Sequence, residues 1–378
     1  MISGWKRSYR RRREGAWRFG WNALHLDPWL LFALLLTMAG GLVVLYSASG
    51  EMVERVEAQS LRFVGALVVM AVIAQIPPST MMRWTPVLYV TVTLLLVAVD
   101  VSGYHAMGAQ RWLEIPGLGR FQPSELMKLV MPMTLAAFLA RRPLPLSWKD
   151  LGICLVLMLI PVVLILEQPD LGTAMLVMFA AGFVILFAGL SWRLILLCLL
   201  VAAAALPLMW LYMHDYQRQR VLTFINPESD PLGAGWNIIQ SKTAIGSGGV
   251  FGKGWMDGTQ SQLQFLPERH TDFIVAVLAE EFGLVGVCLL LLCYLMIVGR
   301  GLVLAVRAQD TFGRLLAGSL VLTFFIYVVV NIGMVSGLLP VVGVPLPLIS
   351  YGGTASVTLL AGFGILMAIG THRKLLPR

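Results

Sequence analysis

Long apolar runs alternate with short polar segments along most of the chain. Ten of these runs are long enough, or nearly so, to cross a hydrocarbon core of about 30 Å, which takes roughly 20 helical residues. Hydrophobic residues make up 58% of the 378 positions and charged residues only 13%, about half the charged fraction of a soluble domain. The pattern predicts an all-α, polytopic integral membrane protein with about 10 transmembrane helices.

Lys and Arg concentrate in the N-terminal tail and then in every second short loop. Positively charged loops stay cytoplasmic, so both termini are predicted to be cytoplasmic. The predicted organisation is a basic tail over residues 1–28, one membrane domain over 29–371 and a short tail over 372–378. A large extracytoplasmic loop, residues 214–270, joins helices 7 and 8. Because topology alone accounts for the basic tail, no nucleic-acid binding is predicted.

Ionisable residues cluster in the stretch LPERHTDFIVAVLAEE, which enters the eighth predicted helix. His270 and Asp272 lie at the mouth of this helix, and Glu280 lies inside it. Charge near or within a bilayer is costly and usually marks binding or catalysis. Asp272 could instead be a helix cap worth about 1 kcal/mol, but a cap does not need the neighbouring Glu268 and His270. The cluster therefore favours chemistry at this helix entrance.

A second polar cluster, FQPSELMK, opens the fourth predicted helix. Glu125 and Lys128 have an i, i+3 spacing that places them on one helix face. They could form a structural ion pair or the polar wall of a membrane cavity. Upstream, Arg111 and Trp112 combine a cation with an aromatic ring. Trp112 could equally be an aromatic residue of the membrane interface.

The loop 214–270 carries several cations on a side where positive charge is otherwise scarce, among them Arg218, Arg220 and Lys242. Each could be an ordinary solvated side chain, but together they suit an anionic ligand such as a phosphorylated lipid headgroup. The same loop contains the glycine-rich string GSGGVFGKG. It lacks the residue spacing of a phosphate-binding Walker motif, so a bending surface loop is predicted there.

Several long strings resemble the SEDS family of bacterial membrane proteins. They are FQPSELMK, QPDLGTA, GSGGVFGKGW, GTQSQLQFLPERHTDFIVAVLAEEFGLVG and GVPLPLISYGGTA. The resemblance extends from about the first predicted helix to the C-terminus. FLPERHTDFI and GTQSQL are more similar to the RodA branch of the family, which serves cell elongation, than to the FtsW branch, which serves division.

The resemblance implies a peptidoglycan glycosyltransferase of the bacterial inner membrane that maintains rod shape. Such an enzyme polymerises lipid II into β-1,4-linked glycan strands beside a class B penicillin-binding protein, with its active site on the extracytoplasmic side. The essential aspartate of the family falls on Asp272. Its cavity carboxylate and lysine fall on Glu125 and Lys128, and its loop tryptophan falls on Trp112.

The implied reaction assigns a role to each candidate. Asp272 would be the general base that takes the proton from the acceptor hydroxyl, and undecaprenyl pyrophosphate would leave with inversion. The predicted substrate-binding residues are Glu125, Lys128, Arg111, Trp112, Arg218, Arg220, Lys242, His270 and Glu280. A Mg²⁺ or Mn²⁺ ion could assist the leaving group, with Asp272 and Glu125 as possible ligands. No organic cofactor is expected.

Two other functions compete with the enzyme. A flippase or transporter for lipid-linked precursors would also need a charged cavity open to lipid, and a non-catalytic scaffold of the cell-wall complex would need apolar outer faces. Transporter sites lie near the bilayer midplane. The polar residues of this chain instead gather at the extracytoplasmic ends of the fourth and eighth helices, which favours the enzyme.

Overall fold

The chain folds into a bundle of long helices. The structure, a computed structural model, describes residues 24–106, 109–115, 119–190, 192–212, 215–230, 233–262 and 268–372. Its helices are α1 (Pro28–Ala48), α2 (Val53–Ala74), α3 (Pro78–Ser102), α4 (Pro123–Leu139), α5 (Trp148–Glu167), α6 (Leu171–Phe187), α7 (Trp192–Tyr212), α8 (Asp215–Ile225), α9 (Ala234–Ser247), α10 (Thr259–Gln262), α11 (Ile274–Val306), α12 (Thr311–Val335) and α13 (Thr354–Thr371).

The helix lengths agree with the predicted ten spans. Within the described residues, seven helices are long and apolar enough to cross a membrane: α1, α2, α3, α5, α11, α12 and α13. Three further helices, the 17-residue α4 and α6 and the 21-residue α7, bring the number to ten. The predominantly helical fold with about ten membrane helices is therefore confirmed.

Helix starts follow from capping residues in the sequence. Asp27 caps α1 by accepting from the Leu30 amide, and Pro28 occupies the first turn, where no amide donor is needed. Asp27 also accepts from the Arg300 guanidinium at 2.6 Å, which ties the start of α1 to α11. His25 stacks on His372 with ring centroids 3.7 Å apart. We call the end of the bundle at which these contacts lie the tail end, and the opposite end the loop end.

A small antiparallel sheet lies between α3 and α4, where the sequence predicted no strand. Its strands β1 (Tyr104–Ala106), β2 (Ala109–Ile115) and β3 (Gly119–Phe121) pair in chain order. Leu113 pairs with Phe121 and Tyr104 pairs with Trp112. The outer strands have only three residues each, too few to give a readable alternation of polar and apolar positions.

The long loop 214–270 is not a simple loop. It contains α8, α9 and α10, and α9 packs against the loop ends of α11 and α12. The hydroxyl of Ser241 donates at 2.7 Å to the carbonyl of Val335, the last residue of α12. A helix-end carbonyl that lacks an intrahelical partner is satisfied by this contact. The segment is therefore anchored on the membrane helices.

The α11 helix is broken at Gly283, which has φ 61° and ψ −159°. The break frees backbone groups that the glycine-rich stretch Gly246–Gly254 then binds. The amides of Lys253 and Gly254 donate to the carbonyls of Glu280 and Glu281 at 3.0 and 3.1 Å. The amides of Leu284 and Val285 donate in turn to carbonyls of this stretch at 3.0 and 3.1 Å.

The stretch Gly246–Gly254 bends at the surface as predicted, with positive φ at Gly249, Gly252 and Gly254. What the sequence did not predict is that it also packs directly against the backbone of α11. A Cβ atom on Gly252 would lie 2.1 Å from the Glu281 carbonyl oxygen, and one on Gly248 would lie 2.0 Å from that of Ala279. Only glycine permits so close an approach. The abundance of glycine in this stretch thus has a packing cause rather than a phosphate-binding one.

Replacing Gly283 by alanine should destabilise the protein. The left-handed φ disfavours a side chain, and the added Cβ would lie 2.3 Å from the Gly252 nitrogen. Strain of this kind costs about 1–3 kcal/mol, so the thermal midpoint of the detergent-purified protein should fall. Gly299→Ala is the matched control, because a Cβ atom on Gly299, in the same helix, would meet no other atom within 4 Å. Equal midpoints for the two variants would contradict a strained break.

Candidate active site

Asp272 lies in the turn that leads into α11, two residues before the helix begins. Its backbone carbonyl accepts a 2.9 Å hydrogen bond from the side-chain amide of Asn331 on α12. The same amide donates at 2.7 Å to the carbonyl of Val344. A Cβ atom on Gly343 would lie 3.6 Å from the Asp272 Oδ2 atom. The carboxylate therefore faces the segment that follows α12.

The residues before Asp272 are held by the same segment, which links α12 to α13. The Tyr351 amide donates to the His270 carbonyl at 2.9 Å. The Ser350 hydroxyl donates to the Thr271 carbonyl at 2.6 Å. With three consecutive carbonyls bound, the backbone of the turn has little freedom. Asp272 is thus positioned before any substrate arrives, as a catalytic group requires.

The environment of Asp272 raises its pKa to about 6. Burial of the carboxylate is the largest cause, and the neighbouring charge of Glu268 acts in the same direction. Arg220 on α8 opposes both by lowering the pKa. Asp272 can therefore exchange a proton near neutral pH, which suits a general base.

His270 occupies the same turn but has a different environment. Burial and the positive charge of Arg55 lower the pKa of its imidazole, and its ring centroid lies 6.1 Å from that of Tyr351. The ring is consequently neutral at physiological pH and can act as a hydrogen-bonding group. Its predicted part in substrate binding stays a prediction.

Glu125 and Lys128 form a buried ion pair in the first turns of α4. The Lys128 Nζ atom lies 2.6 Å from Oε1 of Glu125 and 5.0 Å from the ring centroid of Tyr327 on α12. The two alternatives from the sequence therefore coexist, since Lys128 also lines a mostly apolar cavity between α4, α12 and α13. The other carboxylate oxygen, Oε2 of Glu125, has no hydrogen-bond partner.

One face of α12 connects the two polar clusters. Tyr327 contacts Lys128, and Asn331, one helical turn later, holds the Asp272 carbonyl. Both residues are buried. The sequence reasoning missed them, although a tyrosine and an asparagine four residues apart in an apolar span are the kind of polar pair that marks a function or a packing contact.

Two predicted cations bind backbone carbonyls instead of facing open space. The guanidinium of Arg111 donates to the carbonyl of Gln168 at 3.0 Å and to the carbonyl of Pro169. These hydrogen bonds join β2 to the connection between α5 and α6. Arg218 donates to the last carbonyls of α7. Trp112, next to Arg111 on β2, is half-buried. These contacts give the two arginines structural roles, and their predicted contact with substrate stays untested.

Glu280 is fully buried, and its Oε1 atom accepts from Lys253 at 2.8 Å and from the Gln260 amide at 2.9 Å. It thereby attaches the glycine-rich stretch to α11, which is a structural role; substrate binding by Glu280 stays a prediction. Lys242 is exposed on α9, against the turn at Gly337 that follows α12. Its position allows contact with a ligand in solution.

The described part of the chain holds no cluster of protein ligands for the predicted divalent cation. Across the residues that the structure describes, no group of three or more His, Cys, Asp or Glu side chains could hold a metal ion. The two proposed ligands also belong to separate clusters, with Glu125 paired to Lys128 and Asp272 beside Arg220. A Mg²⁺ or Mn²⁺ ion would depend on phosphate oxygens from the substrate.

Comparison with known proteins gives the family. Residues 28–375 match the sequence profile of the cell cycle proteins FtsW, RodA and SpoVE. The chain belongs to this family. It is 55% identical over 359 residues to the peptidoglycan glycosyltransferase MrdB of Escherichia coli K12, covering 95% of this chain and 97% of that protein. A probable FtsW of Trichlorobacter lovleyi is 38% identical, with coverage of 93% and 94%.

Solved structures agree with this assignment. A chain from a peptidoglycan synthase complex that coordinates polymerization and crosslinking has a TM-score of 0.81 at 33% identity, covering 92% of this chain and 99% of that one. RodA of Thermus thermophilus has a TM-score of 0.69 at 30% identity, with coverage of 92% and 98%. The predicted SEDS membership, the RodA likeness and the class of enzyme, a peptidoglycan glycosyltransferase, are confirmed.

Breaking the Glu125–Lys128 pair should cost more stability than removing it whole. Lys128→Met leaves a buried carboxylate without a cation, a change worth about 3–5 kcal/mol. The double variant Glu125→Gln, Lys128→Met carries no such charge and should recover most of the loss. Thermal unfolding of the wild type, both single variants and the double variant gives the coupling energy. A double variant no more stable than Lys128→Met would contradict a coupled pair.

Proposed function

We propose that this peptidoglycan glycosyltransferase polymerises lipid II at the loop end of the bundle, with Asp272 as the general base. The observation that carries the proposal is the half-buried Asp272 carboxylate, held in a fixed turn with a pKa of about 6. A base of this kind is largely ionised at neutral pH, yet it remains basic enough to accept a proton.

The reaction needs one proton acceptor and no covalent intermediate. The acceptor 4-hydroxyl attacks the anomeric carbon of the donor sugar while its proton passes to Asp272. The bond from the anomeric carbon to the pyrophosphate oxygen breaks, and the pyrophosphate leaves with the electron pair. An α-linked donor then gives a β-1,4 bond by inversion. General base catalysis of this kind contributes roughly 10²–10⁴-fold to the rate.

The pyrophosphate that leaves carries negative charge, and two cations of the site can stabilise it. Arg220 on α8 is close enough to Asp272 to lower the pKa of its carboxylate, so it can interact with charge that develops beside the base. Lys128 contacts Tyr327 on α12, one helical turn from Asn331, which holds the Asp272 carbonyl. Fixed charges in a water-poor site stabilise such a transition state strongly.

The apolar cavity between α4, α12 and α13 has a volume of about 30 Å³, which is room for one or two water molecules. Lys128 lies in its wall, and the remaining lining is mainly apolar, with Phe324, Leu359 and Leu366 among its residues. This volume is too small for a polyprenyl chain, so the lipid tail of the substrate is not placed in this cavity. A divalent cation bound by the pyrophosphate is compatible with this arrangement, and no catalytic step is assigned to it.

The side of the membrane and the partner are parts of the same proposal. The loop end carries the short connections that are poor in Lys and Arg, and the positive-inside rule places these outside the cytoplasm. Lipid II sugars are polymerised on that side of the membrane. The structural relative is part of a complex for polymerization and crosslinking. We therefore expect this chain to act beside a class B penicillin-binding protein that crosslinks the new strands.

Asp272→Asn should abolish polymerisation without unfolding the protein, because the amide keeps the shape of the side chain and cannot take the proton. We expect a loss of at least about 10²-fold in glycan formed from lipid II by the protein with its partner. Asp257→Asn, an exposed residue of the same extramembrane segment, is the control. Unchanged polymerisation by Asp272→Asn would exclude Asp272 as the general base. If the wild-type protein with its partner formed no glycan, a flippase or a scaffold would be favoured instead.

The pH profile should report Asp272 directly. Because the base must be ionised and its pKa is about 6, the initial rate should rise about tenfold per pH unit below this value and level off above it. Arg220→Gln removes the charge that lowers the pKa and should move the acid limb to higher pH. Glu268→Gln removes a charge that raises it and should move the limb to lower pH. A limb that both variants leave in place would belong to another group.

A further inference from the structure

A second cavity lies at the tail end of the bundle, between α3, α4 and α5. Its volume is about 480 Å³, within the range of about 300–1,000 Å³ that is usual for ligand sites. Its wall includes Tyr89, Val90, Ala137, Phe138 and Leu157. Lys128 and Phe138 are ten residues apart on α4, roughly 15 Å along the helix axis, so this cavity is separate from the candidate active site.

The uncharged polar side chains in the cavity wall are already hydrogen-bonded within the protein. The Tyr89 hydroxyl donates at 2.9 Å to the Leu157 carbonyl across the helix interface. The hydroxyls of Thr85 and Thr134 donate to carbonyls four residues earlier in their own helices. No buried side-chain atom of the lining lacks a partner. The cavity therefore presents an apolar wall, which suits a hydrocarbon chain better than a peptide or a sugar.

Two adjacent arginines line the cavity where α4 ends. Arg141 and Arg142 are both exposed. The Arg142 guanidinium lies 5.2 Å from the ring centroid of Phe138 and 3.6 Å from a carboxylate oxygen of Asp150. In the described part of the chain, Arg141 has no carboxylate within ion-pair distance. The opening of the cavity thus has more positive than negative charge.

Exposed tryptophans show how deep these arginines lie in the membrane. Trp84 on α3 and Trp148 on α5 are 57% and 62% exposed. Each belongs to a helix that borders the cavity, and each lies near the tail end of that helix. Tryptophan side chains at membrane surfaces sit at the level of the lipid headgroups. The arginines are consequently at headgroup depth, and the apolar wall extends from them into the hydrocarbon.

We infer that this cavity binds an anionic phospholipid of the leaflet at the tail end. Its phosphate would lie between the guanidinium groups of Arg141 and Arg142, which are suited to bidentate contact with phosphate oxygens. One acyl chain would lie along Tyr89, Val90 and Leu157. Basic pockets between membrane helices bind acidic headgroups in this way. The lipid would fill the space between α3 and α5 and so support the packing of α4, whose first turns carry Glu125 and Lys128.

Native mass spectrometry of the full-length protein tests the headgroup contact. The detergent-purified protein is incubated with phosphatidylglycerol or with phosphatidylcholine of identical acyl chains. The lipid that stays bound after removal of the detergent in the mass spectrometer is then measured. The double variant Arg141→Gln, Arg142→Gln should lose at least about tenfold in retention of phosphatidylglycerol, with little change for phosphatidylcholine. The matched control, Arg193→Gln with Arg307→Gln, removes the same charge from exposed positions at the tail end. Equal losses in the two double variants would mean general charge attraction and would overturn the site.

A second pair of variants tests the acyl chain separately from the charges. Val90 is 56% exposed and lines the cavity, so Val90→Phe should fill it and lower phosphatidylglycerol retention while both arginines remain. Leu94 is one helical turn further along α3, 63% exposed and outside the lining. Leu94→Phe should therefore bind lipid like the wild type. Undiminished retention by Val90→Phe would show that the lipid binds elsewhere, and would equally contradict the inference.

Discussion

In the apolar interior of a membrane bundle, a backbone amide or carbonyl without a partner costs several kcal/mol, and α11 lacks helical partners at two places. One is the turn before the helix, around Asp272; the other is the break at Gly283. Segments distant in sequence bind the free groups at both places. Asn331 on α12 and the segment after α12 bind the carbonyls of the turn, and the glycine-rich stretch binds the free groups at the break.

The geometry of the candidate active site depends on this requirement for backbone partners. Asp272 cannot move independently, because Asn331 and Ser350 hold its own carbonyl and that of the preceding residue. Burial of the side chain is the largest cause of the raised pKa of Asp272. Hydrogen bonds thus fix the backbone of the turn, and the surroundings of the Asp272 side chain raise its pKa. On the same helix as Asn331, Tyr327 contacts Lys128, so α12 connects this turn to the second polar cluster.

Charged residues of this protein look alike in the sequence but do different things in the structure. Asp272 lies just before one apolar helix and Glu280 lies inside it, eight residues further along the chain. Glu280 is neutralised by Lys253 and holds the glycine-rich stretch in place, whereas Asp272 faces Gly343 and is influenced by Arg220. Arg111 and Arg218 likewise bind carbonyls. The free-energy cost of a charge in the membrane marks such residues in the sequence. Only the partners seen in the structure distinguish a structural role from a candidate catalytic one.

From the sequence alone, about ten membrane helices could be predicted, and Asp272, Glu125 and Lys128 could be selected as candidate site residues. Hydropathy and charge act locally, so a run of residues is enough to reveal a span, a cap or an expensive carboxylate. Tertiary structure alone decided which groups meet. Ser47 and Glu281 are 234 positions apart, and Asn331 reaches Asp272 across 59. Such pairings arise from packing between helices, for which the chain carries no local pattern. The break at Gly283, the small sheet and the lipid-sized cavity follow from the same packing.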